Sequence, residues 1–156
     1  MTTKPTVVVV PGSWQTPVVW DGFRALAEKE GGYPAVAHVA LPTIGGTETP
    51  LAGLAEDVAA VRAILGPLVD EQEKDVVLLC HSSGGISGSN AVEGWDCATR
   101  EKEGKKGGVV RIVFLAAFML PKEQSLLGML GGQPAPWMVV DVSLFLLSLF
   151  LPFLHP

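Results

Sequence analysis

The segment Asp75-Val-Val-Leu-Leu-Cys80 runs without a spacer into His81-Ser82-Ser83-Gly84-Gly85, and this junction constrains the fold more than any other feature. An apolar run bounded by such a turn reads as a strand buried on both faces, and the small residues that follow, as far as Trp95, can continue as a helix. With nothing between the two, the chain must reverse in a very tight turn. Such a turn exposes its serine, Ser82, at the carboxyl end of the sheet. The residues two before and two after it, Cys80 and Gly84, must be small, and the Ser83 backbone N–H lies at a helix N-terminus, where it can stabilise an oxyanion. The pattern Cys-His-Ser-Ser-Gly is one step from Gly-x-Ser-x-Gly and makes Ser82 the candidate nucleophile, with Cys80, His81, Gly84 and Gly85 as its support. The plainer alternative is a Gly/Ser-rich turn without chemistry.

The rest of the chain supplies the layers such a turn needs. Thr6 to Val10 is β-branched throughout and stops at Pro11-Gly12, as a buried strand does. Thr16-Pro17 is a cap signal. Val19, Phe23, Leu26 and Ala27 then recur at helical spacing until Gly31-Gly32. Pro34 to Leu41 reads as a second strand, and Pro42 to Thr47 as a loop. Thr49-Pro50 repeats the cap signal before Leu51, Leu54, Val58, Val61, Leu65 and Leu68, an apolar stripe stepping by three and four. Thr99 to Gly108 reads as a polar loop, and Val109 to Phe118 as a fourth strand. Strands alternating with helices predict an α/β fold, a mostly parallel sheet with helices on both faces.

Charge excludes some functions. With 11 Lys+Arg against 16 Asp+Glu the net charge is −5, leaving no cationic surplus to displace counterions from nucleic acid. Two cysteines, Cys80 and Cys97, make neither a disulfide scaffold nor a metal cluster. They fit a reducing compartment, and Val7 to Val10 is too short for a signal peptide, so a cytoplasmic address is expected. Val142 to Leu154 holds only Val, Ser, Leu, Phe and Pro, but it is shorter than the roughly 20 residues of a spanning helix, so no membrane partner is expected.

Several stretches together resemble the α/β-hydrolase superfamily, in particular its small esterase branch near the methylesterases and hydroxynitrile lyases. They are Val9-Val-Pro-Gly-Ser-Trp14, Leu41-Pro42, Asp57-Val58, His81 to Gly85, and Val113 to Pro121. The resemblance runs from about Thr6 to Trp137. It implies that the backbone N–H groups of Ser13 or Trp14 and of Ser83 form an oxyanion hole, and that Ser82 attacks a small ester-like carbonyl. It implies no metal and no organic cofactor. It implies the N-terminal part of the core at residues 1–120 and the start of a cap at 121–141; the residue types beyond it make 142–156 an aberrant apolar tail.

A serine nucleophile needs a histidine base oriented by an acid, and in this superfamily both follow the serine in the chain. Only Asp141, Glu123 and His155 offer themselves, and none is well placed. His81 reads as a support residue and His38 as a core or sheet-face histidine. Cys80 reads as buried rather than nucleophilic, and Asp57 and Arg62 as surface or helix-stabilising charges. Every residue from Ser143 to Leu154 can be encoded by pyrimidine-only codons, as translation into a pyrimidine-rich intron would give; the competing readings are an apolar tail packed on the sheet and a weak membrane anchor. The expectation is therefore an α/β-hydrolase-type fold incomplete at its C-terminus, without the acid and histidine of the triad. A non-catalytic binding protein on the same fold is the first alternative. A dinucleotide-binding module is the second, although His81 to Gly88 does not fit Gly-x-Gly-x-x-Gly.

Overall fold

The computed structural model describes residues 4–47, 49–136, 138–141 and 146–149, the last two stretches as backbone. The chain divides into two compact units, Met1–Met119 and Leu120–Pro156.

The first unit is a four-stranded parallel sheet in the order β2-β1-β3-β4. β1 is Thr6–Val10, β2 Val36–His38, β3 Asp75–His81 and β4 Gly108–Leu115. The valine run of β1 is buried at every position, because its alternate side chains enter two different cores. Val8 and Val10 join Val76, Leu78 and Cys80 on one face, beneath Val61 and Leu65 of α2 (Leu54–Gly66) and Ala91 of α3 (Gly84–Ala91). Val7 and Val9 join Val36, Leu79 and Trp20 on the other, the face that α1 (Asp21–Lys29) covers. Helices therefore lie on both faces, as the strand and helix alternation predicts.

Several boundaries differ from those expected. The second strand shrinks to three residues, although Val39 and Leu41 beyond it are still buried. Thr16 makes no side-chain cap; Pro17–Trp20 forms a 3-10 turn that leads into α1. Thr49-Pro50 does not start α2, which begins at Leu54 with the Gly53 N–H donating to Glu56 Oε2 at 2.7 Å. The stripe is accordingly buried only from its middle: Leu51 and Leu54 are exposed, Val61 and Leu65 fully enclosed. After α2 the chain continues as a π-helical turn, Pro67–Glu71.

Charged residues also depart from expectation. Asp57, expected as a surface or helix-stabilising charge, lies in the first turn of α2 but is buried, and it accepts from the Thr43 N–H at 3.1 Å and the Thr43 hydroxyl at 2.8 Å, tying the loop after β2 to α2. A helix, α4 (Cys97–Lys102), capped by Asp96, overlaps the first half of the expected polar loop. Its Arg100 is buried and donates to the carbonyls of Val69, Lys106 and Gly107 and to Asp70 at 2.7 Å. A planar guanidinium with five donors suits such a junction of several carbonyls. Arg62 donates to the Ala91, Asn90 and Glu93 carbonyls at the end of α3, so it joins two helices.

β4 is an edge strand, with Val110, Val113 and Leu115 exposed. Val113 and Leu115 of this strand, with Val7, Val77 and Leu79 of its neighbours and Phe23, Leu26 and Tyr33, line an open apolar cavity of about 670 Å³. In the second unit, Ser125 caps a short helix, α5 (Leu126–Met129), by accepting from the Gly128 N–H at 3.0 Å. There the backbone of β5 (Met138–Asp141) pairs antiparallel with β6 (Leu146–Leu149).

Candidate active site

β3 ends in the middle of the sheet, and the next residue, Ser82, takes φ 52° before α3 begins at Gly84. The left-handed region costs a residue other than glycine roughly 1–2 kcal/mol, and such strain persists only where the surroundings enforce it. Here they do. The Ser82 carbonyl accepts from the Phe118 N–H at 2.9 Å and the Gly85 N–H at 3.2 Å, fixing the turn from both sides.

Close backbone approach explains the small residues around it. A Cβ on Gly84 would stand 2.3 Å from the Pro11 carbonyl oxygen and 2.5 Å from that of Val10, and one on Gly12 would stand 2.6 Å from Ser82 Cβ. The end of β1 and the start of α3 therefore touch through backbone alone. The cysteine where the common pattern has glycine is accommodated from the helix side. Gly88 leaves the space that Cys80 Sγ fills, since a Cβ there would lie 2.4 Å from the sulfur. Burial pushes the Cys80 thiol up to about 12, so it supplies no thiolate near neutrality.

The loop after β1 lies against this turn. Trp14 is itself left-handed, with φ 63°, and half exposed. The Ser13 N–H donates to Ser83 Oγ at 2.8 Å, and the Ser13 and Ser83 hydroxyl oxygens are also 2.8 Å apart. Of the two donors expected from this loop, Ser13 is thus already engaged. The N–H groups of Trp14 and Ser83 have no acceptor among the described residues. Sequence reasoning missed Gln15, whose Oε1 accepts from the Gly12 N–H at 3.2 Å and pairs with His81 Nδ1 at 3.0 Å. An oxygen that already accepts from a backbone N–H is an acceptor for the ring as well, which puts the proton on Nδ1. The ring also stacks edge-on against Trp20, with centroids 5.6 Å apart.

Neither described histidine is hydrogen-bonded to Ser82. His81 serves Gln15, while His38 is buried with Nδ1 3.9 Å from Asp21 Oδ1 and no partner at Nε2 among the described residues. Burial, then the charge of Arg24, holds the His38 pKa below its ordinary value. Glu123 is exposed in the second unit. Asp141 ends the backbone of β5, and His155 lies outside the described residues. Among the described residues no group of three His, Cys, Asp or Glu side chains is placed to hold a metal, and no helix is long and apolar enough to cross a membrane.

A model of the alpha/beta hydrolase family matches residues 7–155. The chain is 33% identical over 127 residues to the alpha/beta hydrolase nvfD of Aspergillus novofumigatus, a match covering 81% of this chain and 48% of the relative. Among solved structures it is similar to a polyneuridine aldehyde esterase variant, with TM-score 0.60, 20% identity, and coverage of 86% of this chain and 50% of the other. It is similar to a Bacillus licheniformis lipase in mature form, with TM-score 0.54, 23% identity and coverage of 86% and 49%. A third is an extracellular alpha/beta-hydrolase from a Paenibacillus species, with TM-score 0.51, 23% identity and coverage of 76% and 43%. The chain thus spans about half the length of the relatives it matches.

Proposed function

The chain belongs to the alpha/beta hydrolase family, and we propose that it carries the nucleophile half of a serine hydrolase acting on a small ester or related acyl compound. The observation that carries this reading is Ser82 at φ 52°, held between β3 and α3 at the carboxyl end of the sheet. In the proposed reaction Ser82 Oγ attacks the acyl carbon while a base takes its proton. The carbonyl π pair moves onto oxygen, and collapse of that intermediate expels the alcohol to leave an acyl-serine, which water then hydrolyses. The N–H groups of Ser83 and Trp14 are the proposed donors to the oxyanion. Such preorganised donors are worth about 10²–10³ in kcat each.

A second reading, a binding protein on the same fold, is favoured by the lack of a hydrogen bond from His38 or His81 to Ser82. Without a base, only the residual catalysis of oxyanion donors and binding remains. A dinucleotide module is disfavoured by a serine, rather than a glycine fingerprint, at the turn. The two surviving readings separate on a fluorophosphonate probe. Phosphonylation of the wild-type chain, mapped to Ser82 by mass spectrometry and abolished by Ser82→Ala, supports the hydrolase. A wild-type chain that labels no faster than Ser82→Ala sinks it in favour of the binding protein.

A further inference from the structure

The residues on either side of Ser82 are both fastened to the loop that follows β1. Ser83, after it, receives the Ser13 N–H and meets the Ser13 hydroxyl, each at 2.8 Å. His81, before it, pairs through Nδ1 with Gln15 at 3.0 Å. The loop is closed between these two points, with the Gln15 N–H donating to the Gly12 carbonyl and the Gly12 N–H to the Gln15 side chain, both at 3.2 Å. Between the two fastenings stands Trp14, left-handed and with its N–H unengaged among the described residues. We infer that Ser13–Ser83 and Gln15–His81 form a two-point clamp, and that Ser83 and Gln15 are positioning residues that fix the Trp14 N–H relative to the serine.

The chemistry of the clamp follows from its parts. Ser83 Oγ accepts from the Ser13 N–H, so its own proton is free to go to Ser13 Oγ, and each bond polarises the other. A threonine at 83 keeps that hydroxyl; alanine removes it and leaves the Ser13 N–H to water. Gln15 Oε1 is a two-way acceptor, so leucine there releases the Gly12 N–H and the His81 ring together. A left-handed tryptophan has to be held by its neighbours. The two bonds are what hold it. As a statement about the site, this rests on the serine hydrolase reading; as a statement about the loop, it does not.

Amide hydrogen exchange on the full chain tests it. Ser83→Ala is expected to speed exchange at the Ser13 amide by about ten-fold, the scale of one lost hydrogen bond. The Val8 amide in β1 should stay as in wild type, and Ser83→Thr should restore Ser13. Gln15→Leu should speed Gly12 in the same way and move the His81 ring off the Nδ1–H tautomer in its nitrogen NMR spectrum, while Gln15→Glu keeps an acceptor and restores both. Unchanged Ser13 exchange in Ser83→Ala, or an unchanged His81 tautomer in Gln15→Leu, overturns the clamp. If Ser83→Ala also loosens Val8, the Gln15 pair decides by the same readings. With a fluorophosphonate, Ser83→Ala should lower the saturating rate at Ser82 by about ten-fold with little change in half-saturation, and Ser83→Thr should recover it. A wild-type Ser82 that never reacts refutes the hydrolase reading, and the exchange data then still decide the clamp.

Discussion

Replacing Gly88 with alanine puts a methyl group 2.4 Å from Cys80 Sγ and 3.3 Å from Leu78 Cδ2, where non-bonded atoms rest at roughly 3.5–4.0 Å. Cys80 cannot give way easily: it is fully buried, and its strand pairs with Val10 on one side and Phe114 on the other. α3 must therefore lift. Overpacking of this kind costs about 1–3 kcal/mol, from which the better helix propensity of alanine returns at most about 1 kcal/mol, so Gly88→Ala should destabilise by about 1 kcal/mol. Cys80→Ala alone empties the space of one buried heavy atom and should also cost about 1 kcal/mol. In the double variant the methyl introduced at position 88 occupies space the sulfur has left, the clash disappears and the helix gain remains. The pair should therefore be close to wild type, a favourable coupling of about 2 kcal/mol. Urea unfolding followed by tryptophan fluorescence, run on all four proteins, measures it. Additivity within about 0.5 kcal/mol would show that Gly88 does not make room for Cys80.

The same reasoning separates two other glycines. Gly84→Ala meets only backbone atoms that cannot rotate away and should cost at least 2–3 kcal/mol or so, whereas Gly22→Ala, with open space around it on α1, should stabilise by about 0.5–1 kcal/mol; equal midpoints in urea refute this. Asp57→Ala strands the Thr43 N–H and hydroxyl and should cost about 2–3 kcal/mol, with Asp57→Asn costing less; an effect below about 0.5 kcal/mol would return Asp57 to the surface class. Because burial raises the Cys80 thiol from 9.0 to about 12, the unfolded chain loses that proton first. Its contribution is therefore complete below pH 9.0 and lost as pH rises towards 12, and Cys80→Ala should flatten that alkaline fall in denaturation midpoint. His38 runs the other way: its pKa is held below 6.5 by burial and Arg24, so the unfolded chain takes the proton first. Stability should be full above pH 6.5 and fall as pH drops below it, and a His38→Gln variant with the same acid slope would contradict this.

What the sequence made legible depended on how locally each feature is encoded. Thr6 to Val10 could be only a buried strand, and its burial on both faces follows from β-branched residues with no charged alternate. The elbow was legible for a related reason: a strand cannot meet a helix without a linker unless one residue takes a strained conformation, and only Ser82 is placed to do so. Where the sequence misled, the missing information was a partner far along the chain. Asp57 reads as a surface or helix-stabilising charge and Arg100 falls in a stretch that reads as a polar loop, and they are buried because Thr43, Asp70 and the carbonyls of Val69 and Gly107 come to them. Gln15 carries no motif at all; its value lies in His81, 66 residues away. The tolerance for cysteine at position 80 was likewise unreadable without Gly88, because the pattern that names a small residue two before the serine says nothing of the helix that must yield to it. The candidate site is therefore encoded twice over. A short motif sets the strain at Ser82, whose carbonyl the Phe118 and Gly85 N–H groups hold, and long-range bonds from Ser13 and Gln15 fasten its two neighbours, Ser83 and His81, to the loop after β1. Substitutions at Ser13 and Gln15 should therefore disturb the surroundings of the serine as substitutions in the motif itself do.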